Sequence, residues 1–212
     1  MAEHEHTHDH DHTHDHEHEH EYEHDHEHDE LTDEEARAEA ERLVRKEIAL
    51  SQIRQYGDPV LRMRADEVES FDDELRKVSA RMIGLMHDAD GVGLAATQVG
   101  ILRRFFVLTI DGEDRVLVNP VVTTLEKDTD LDEEGCLSLG PVRVPVERSV
   151  KVRVDAKDAT GEPVALELEG YPARVVQHEL DHLDGVLMLD RTDAESRREA
   201  LGVLRPRLVL TP

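Results

Sequence analysis

Apolar positions in this chain recur first at helical spacing and then at strand spacing. Leu31, Ala38, Val44 and Ile48 stand among alternating glutamates and arginines around Thr32-Asp33-Glu34-Glu35. That tetrapeptide is a capping box, in which a threonine and a glutamate three residues on satisfy each other's backbone N–H groups. The pattern predicts a charged, solvent-facing helix to about Ser51, an N-terminal extension ahead of a core that begins near Ile53. Gly57-Asp58-Pro59 marks a turn. A second helix opens at Ser70-Phe71-Asp72-Asp73 and carries Leu75, Val78, Met82, Leu85 and Met86 in one stripe, a core-packing pattern. His87, near its end, suits a dipole or capping partner.

Strand chemistry follows: Phe105 to Ile110, a turn at Asp111-Gly112, Val116 to Asn119 and Val121 to Leu125, all short, β-rich and suited to antiparallel meanders. Val150, Val152 and Val154 then alternate with Lys151, Arg153 and Asp155, and Thr160-Gly161-Glu162 turns into a partner strand from Val164 to Leu168. A helix is expected from about Tyr171-Pro172 to Gly185, buried through Val175, Val176, Leu180 and Leu183. Thr192-Asp193-Ala194-Glu195 caps a last helix through about Leu204, which Pro206 ends.

Composition changes this picture mainly at the N-terminus. Residues 1–30 hold twelve histidines and thirteen acids with no Lys or Arg, and such a segment has too little apolar surface to offset its ordering entropy. It is expected to be a disordered tail. The interleaving of His with acids differs from a plain purification tag and favours a native buffer for transition-metal ions. The tail supplies about half of the formal charge of -25, and the remaining residues still carry 37 acids against 25 bases. An acidic body argues against non-specific nucleic-acid binding. One cysteine, Cys136, suits a reducing compartment, and neither a signal-peptide pattern nor a membrane-length apolar run is present, so the expected location is the cytoplasm.

Candidate chemistry centres on Gln177-His178-Glu179-Leu180-Asp181-His182. On a helix the two histidines lie four residues apart on one face and can share a metal ion, with the Glu179 carboxylate beside the ion in the place of a general base. A catalytic site needs a third protein ligand and an open position. Cys136 is the only soft candidate; a zincin-type arrangement would instead draw on a downstream carboxylate, Asp190 or Glu195. Cys136 could also serve as a nucleophile assisted by histidine, or be a small buried core residue. Gly91-Val92-Gly93 allows close backbone approach to a ligand but lacks the third glycine of a dinucleotide fingerprint. From a different class comes the reading of a metal-storage or metal-delivery protein that works through residues 1–30.

Three motifs, taken in order, resemble the signatures of the peptide deformylases: Gly91-Val92-Gly93-Leu94-Ala95-Ala96-Thr97-Gln98, Glu134-Gly135-Cys136-Leu137-Ser138 and Gln177-His178-Glu179-Leu180-Asp181-His182. The resemblance covers about Ile53 to Leu204, within a catalytic domain of residues 53–212; residues 31–52 form the helical extension. It implies an α+β fold, with antiparallel sheets packed around a central metal-binding helix and a C-terminal helix. It makes Cys136, His178 and His182 the ligands of one divalent ion, Fe(II), for which zinc or nickel can substitute. Glu179 becomes the general base and acid, and the Gln98 side-chain amide and Leu137 backbone N–H hold the developing oxyanion. Val92, Gly93, Gly135 and Arg143 are expected to bind substrate, the N-formylmethionyl end of a nascent peptide. The chain departs from the family at Gly140-Pro141, where Pro then Gly is usual, which leaves the path of that loop open. A C-terminal segment with Arg191, Arg197, Arg198, Arg205 and Arg207 suggests docking on ribosomal RNA.

Overall fold

A computed structural model describes residues 32–205. The histidine-rich tail of residues 1–30, together with Leu31, Pro206 and Arg207, lies outside the described residues. Within them the first helix, α1 (Asp33–Gln52), begins at the Thr32–Glu35 capping box as the sequence predicts. Its outward face is charged, but its last turn is built into the core: Ala49 is buried, and Leu50 packs beside Ile53 and Leu75. α2 (Asp73–Asp88) starts with the Asp72 carboxylate accepting the Leu75 N–H, and buries Leu75, Met82, Leu85 and Met86 on the expected stripe. His87 lies in the last turn of α2, where a dipole partner is expected, and it also has a tertiary partner. Its Nε2 lies 2.9 Å from Asp114 Oδ1, which joins the end of α2 to a neighbouring strand.

The main sheet has five antiparallel strands in the order β1 (Gly93–Ala95), β2 (Phe105–Ile110), β3 (Glu113–Thr124), β6 (Lys151–Lys157) and β7 (Pro163–Glu169). β2 explains why its sequence is almost continuously apolar. Phe105 and Val107 enter a core cluster with α2, whereas Phe106, Leu108 and Ile110 enter another with α3 (Tyr171–Leu183), so both faces of the strand are dry. The two segments expected around Asn119 form one strand, β3, with a register shift between Val118 and Val121. Asn119 sits there at φ 51, and its side chain accepts the Val68 N–H at 2.8 Å and donates to the Val68 carbonyl at 3.0 Å. The irregularity also accommodates Pro120, which has no N–H for the ladder.

A second sheet was not legible in the sequence. The acidic stretch Thr129–Gly135, which has the composition of a loop, is strand β4, paired in antiparallel register with β5 (Arg143–Ser149). Acidic residues are poor strand formers, and here tertiary pairing overrides that preference. The turn between β4 and β5 carries Cys136, Leu137 and the departing Gly140-Pro141 pair. Gly140 takes a left-handed φ of 58°, while Leu139 and Val142 on either side are buried in a third core cluster with Leu187 to Leu189 and Ala200. Both ends of the unusual dipeptide are therefore anchored.

α3 enters between the two sheets. Pro172 occupies its first turn, where the missing N–H costs nothing, and the helix ends at Leu183 with Gly185 at φ 72°. A Cβ on Gly185 would lie 2.7 Å from the Arg62 carbonyl oxygen, so the chain can leave the helix here only as glycine. α4 (Ala194–Leu204), capped by the Asp193 carboxylate, closes the C-terminal side. Antiparallel sheets around a central helix with a C-terminal helix make this an α+β fold, as expected.

Candidate metal centre

Helical periodicity places His178 and His182 one turn apart on α3, with ring centroids separated by 4.9 Å. The β4–β5 turn brings Cys136 to them: its Sγ lies 3.2 Å from His182 Nε2, and the donor atoms of Cys136, His178 and His182 all fall within 4.8 Å of one another. Asp190 and Glu195, the alternative third ligands, are elsewhere. Asp190 is paired with Arg62 and Arg197, and Glu195 with Arg198.

These residues fit a divalent ion by their chemistry. One thiol and two imidazoles are the donor types that iron, zinc and nickel accept, and Cys136 and His178 of the set line an open cleft. His178 Nδ1 is engaged by Glu134 Oε2 at 2.8 Å, which fixes the ring and leaves Nε2 for coordination. Burial, and then the charge of His178, hold the His182 imidazolium well below its ordinary range, which favours the neutral ligand form. Burial also disfavours protonated His178, but its bonds to Cys136 and Glu134 outweigh that and raise its pKa. A bound cation would compete for that proton.

Glu134 is the functional residue that sequence reasoning passed over. Its side chain is only 4% exposed, yet it is ionised: burial opposes the charge, but Arg148 and His178 bring its pKa down to about 2. Arg148 reaches it through Nε and Nη2 at 2.8 and 2.9 Å, Arg174 of α3 adds Nη1 at 3.1 Å, and Arg148 Nη1 continues to Asp181 Oδ2 at 2.6 Å. Arg174 also donates to the Val146 and Asp130 carbonyls. Gln177 clamps Ser149 by accepting its N–H at 3.1 Å and donating to its carbonyl at 2.9 Å. The sequence signals for this network were Glu134, Gln177 and Asp181 standing inside motifs and Arg148 on an alternating strand, but nothing in them showed that these residues meet.

Glu179 lies on the adjacent face of α3 and is 4% exposed, with its Oε2 lacking any hydrogen-bond partner among the described residues. Burial raises its pKa to about 7, partly opposed by His178. A divalent cation beside it acts in the lowering direction. Gly93 makes room for it: a Cβ there would meet the Glu179 carboxylate carbon at 2.9 Å. Gln98 is held by the Ala95 N–H donating to its Oε1 at 2.8 Å, which turns Nε2 toward Ser138 Oγ at 3.1 Å and Cys136 Sγ at 3.7 Å. The Leu137 N–H donates to no group among the described residues. A cleft of about 460 Å³ is lined by Val92, Gly93, Gln98, Gly135, Leu137 and Arg143, together with Cys136, His178 and Glu179. His182 lies deeper, 1% exposed. The predicted site residues thus converge from four separate segments.

A three-donor centre with a buried carboxylate beside it, at the base of an open cleft on an α+β scaffold, defines a metal-dependent hydrolase. Residues 50–198 match the family model described as polypeptide deformylase. The chain is 50% identical over 145 residues to the peptide deformylase of Thermotoga sp. (strain RQ2), covering 68% of this chain and 88% of that protein. It is 46% identical over 162 residues to peptide deformylase 1 of Corynebacterium glutamicum, covering 74% and 96%. The crystal structure of the Thermotoga maritima peptide deformylase superposes with a TM-score of 0.65 at 50% identity, over 66% of this chain and 96% of that one. The Synechococcus elongatus enzyme in complex with actinonin gives 0.69 at 42% identity, over 72% and 84%. The chain belongs to the polypeptide deformylase family. Its activity is metal-dependent removal of the formyl group from the N-terminus of nascent peptides.

Glu134→Ala is expected to deprive Arg148 and Arg174 of their shared buried carboxylate, leaving them Asp181 and Asp130, and to free His178 to rotate. Loss of such an outer partner weakens metal affinity by about 10–100-fold. Competition against a chromophoric chelator measures this directly, and an unchanged affinity would remove Glu134 from the centre's support.

Proposed function

We propose that Cys136, His178 and His182 hold one Fe(II) ion, with zinc or nickel as functional substitutes, and that Glu179 is the general base and acid of deformylation. The observation that carries this reading is the convergence of the three donor atoms within 4.8 Å beside a buried, unpartnered carboxylate oxygen. A mixed thiolate and imidazole set suits Fe(II), zinc and nickel. When bound, the ion supplies the Lewis acidity that makes water reactive at neutral pH.

The chain's own residues do the rest. Val92, Gly93, Gly135 and Arg143 receive the formylmethionyl peptide along the cleft and exclude water from its reacting end. Gln98 Nε2 and the Leu137 N–H donate to the oxygen of the formyl carbonyl as charge collects on it, an effect whose loss costs about 10²–10³-fold per donor. Glu179 takes the proton that the attacking water loses and returns it to the departing amide nitrogen. The C–N bond breaks, giving formate and a free amino terminus. Burial pushes the pKa of Glu179 up and a neighbouring cation pulls it down, and a carboxylate poised between these opposing effects can both take and return a proton.

The cytoplasm is the proposed place of action, because a single free cysteine needed as a thiolate suits a reducing compartment. No described helix is long and apolar enough to cross a membrane. Ribosome docking through the basic C-terminal segment is proposed on the strength of Arg197 and Arg198, which are 48% and 74% exposed on α4 and joined to acids only by long surface pairs. The histidine-rich residues 1–30 are proposed to load transition-metal ions onto the centre when they are scarce.

Glu179→Ala is expected to retain stoichiometric metal and lose about 10²–10⁴-fold in turnover of formyl-Met-Ala-Ser; full activity in that variant sinks the assignment. Removal of residues 1–30 should leave the rate unchanged with ample anaerobic Fe(II) and slow the enzyme only under limiting metal. Equal rates in both regimes would deny the tail a loading role. Charge reversal at Arg197 and Arg198 should reduce co-sedimentation with ribosomes from a cytoplasmic extract, and undiminished co-sedimentation argues against docking through α4.

A further inference from the structure

Five consecutive residues, Ala89 to Gly93, line one wall of the cleft, and the loop they form joins the end of α2 to β1. The fit there is close. A Cβ on Gly91 would meet Leu137 Cδ1 at 2.8 Å, so the loop packs directly on the turn that carries Cys136. Asp90 takes a left-handed φ of 56°, which a residue with a side chain rarely adopts. Arg42 and Lys46 of α1 meet its carboxylate at 2.6 and 2.9 Å, and Glu39 is a further partner of Arg42 at 2.8 Å, so the charges there are balanced. Lys46 and Leu50 also line the cleft.

A second set of contacts closes a ring around the same loop. His87, in the last turn of α2, has its Nε2 at 2.9 and 3.0 Å from the two carboxylate oxygens of Asp114. Asp114 Oδ1 accepts the Thr109 hydroxyl at 2.8 Å, and the Thr109 N–H donates to the Val92 carbonyl at 3.0 Å. The ring runs from His87 through Asp114 and Thr109 to Val92 and returns along the loop. It sits where the apolar contact with α2 ends: Thr109 and Asp114 are partners across β2 and β3, two residues beyond the Val107–Val116 pair that joins the α2 core cluster. The bonds from His87 and then Thr109 hold the Asp114 carboxyl below its ordinary range, so it is charged.

We infer that Asp114 is a positioning residue for substrate: through His87 and Thr109 it fixes the loop whose Val92 and Gly93 receive the formylmethionyl peptide. His87, Thr109 and Asp114 do not line the cleft themselves, so they act only through the loop. The loop is ordered before the peptide arrives, and binding therefore does not carry that entropic cost. This inference rests on the deformylase reading, and it gives a role to His87, which the metal centre leaves unused. The His87 and Asp114 side chains are 50% and 35% exposed. A partly exposed clasp of this kind is worth about two- to five-fold in binding.

Steady-state kinetics with formyl-Met-Ala-Ser on the full-length metal-loaded enzyme test this, together with hydrogen exchange at the Thr109 amide, whose N–H carries the bond to Val92. Asp114→Ala and His87→Ala should each raise KM about two- to five-fold with kcat and metal content unchanged, the pattern of lost binding common to ground and transition states. The Thr109 amide should exchange faster by a similar factor. Combining the two substitutions should add nothing to either alone, because both open the same ring. Asp114→Asn, which still accepts from Thr109 and offers His87 a polar partner, should restore most of the wild-type KM. Glu113→Ala, beside Asp114 and 71% exposed, should match the wild type. Should Asp114→Ala not fold, His87→Ala carries the same comparison. Unchanged KM and exchange, or losses that simply add in the double variant, overturn the positioning role. Faster exchange with KM unchanged also overturns it, and removes Val92 and Gly93 from substrate binding while the deformylase reading stands. Failure of the wild-type enzyme on every formyl peptide strikes that reading instead, and the Kd for Met-Ala-Ser in the same variants then decides the positioning role alone.

Discussion

The molecule depends on keeping one carboxylate charged where almost no water reaches it. Glu134 is enclosed by Arg148, Arg174 and His178, and Arg148 passes on to Asp181, which Arg191 meets from the outside at 2.7 Å. Buried charges are tolerated only when their partners and hydrogen bonds are complete, and removing one partner from such a group costs about 3–5 kcal/mol. Completeness here requires the β4–β5 hairpin and α3 to sit in one relative position. The same position delivers Cys136 to the two histidines. The network therefore sets the geometry of the metal centre, although none of Arg148, Arg174 or Asp181 contributes a donor atom to it.

Glycine governs the other side of the centre. Gly93 on β1 lies so close to Glu179 that any side chain would displace the carboxylate, and its absence lets the strand edge and Glu179 share one wall of the cleft. Thr97 ties the following turn to α3 by donating to the His182 carbonyl at 3.1 Å, which holds Gln98 in range of Cys136 and Ser138. Gln98 and Glu179 are thus held against one helix from two directions. Rigid support of this kind is what lets a carboxylate stay buried with one oxygen unpaired.

Much of this arrangement was legible in the sequence because its signals are local. The capping box at Thr32, the stripe from Leu75 to Met86 and the apolar run of β2 each follow from a single period and hold in the structure. The β4 strand was not legible, since Asp130, Asp132 and Glu133 carry the composition of a solvated loop and pair only because β5 lies alongside. The place of His87 in the last turn of its helix was legible, but its partner, Asp114, was not, because it comes from a strand distant in sequence. Glu134 stood in plain view inside a motif, but its role exists only where two arginines and a histidine from other segments meet it.

By itself the sequence determined the clamp. Two histidines four residues apart on a helix must share a face, and the glutamate after the first must lie beside that face, whatever the rest of the chain does. The motif resemblance extended this to Cys136 and Gln98. Tertiary structure decided that the thiol arrives within 3.2 Å of His182, that Asp190 and Glu195 are committed elsewhere, and that α1 contributes Lys46 and Leu50 to the cleft. The physical reason is that helical spacing is fixed by backbone hydrogen bonds within one turn. Contacts between distant segments are fixed instead by the complementarity of buried charge and packed surface, which no single stretch of sequence contains.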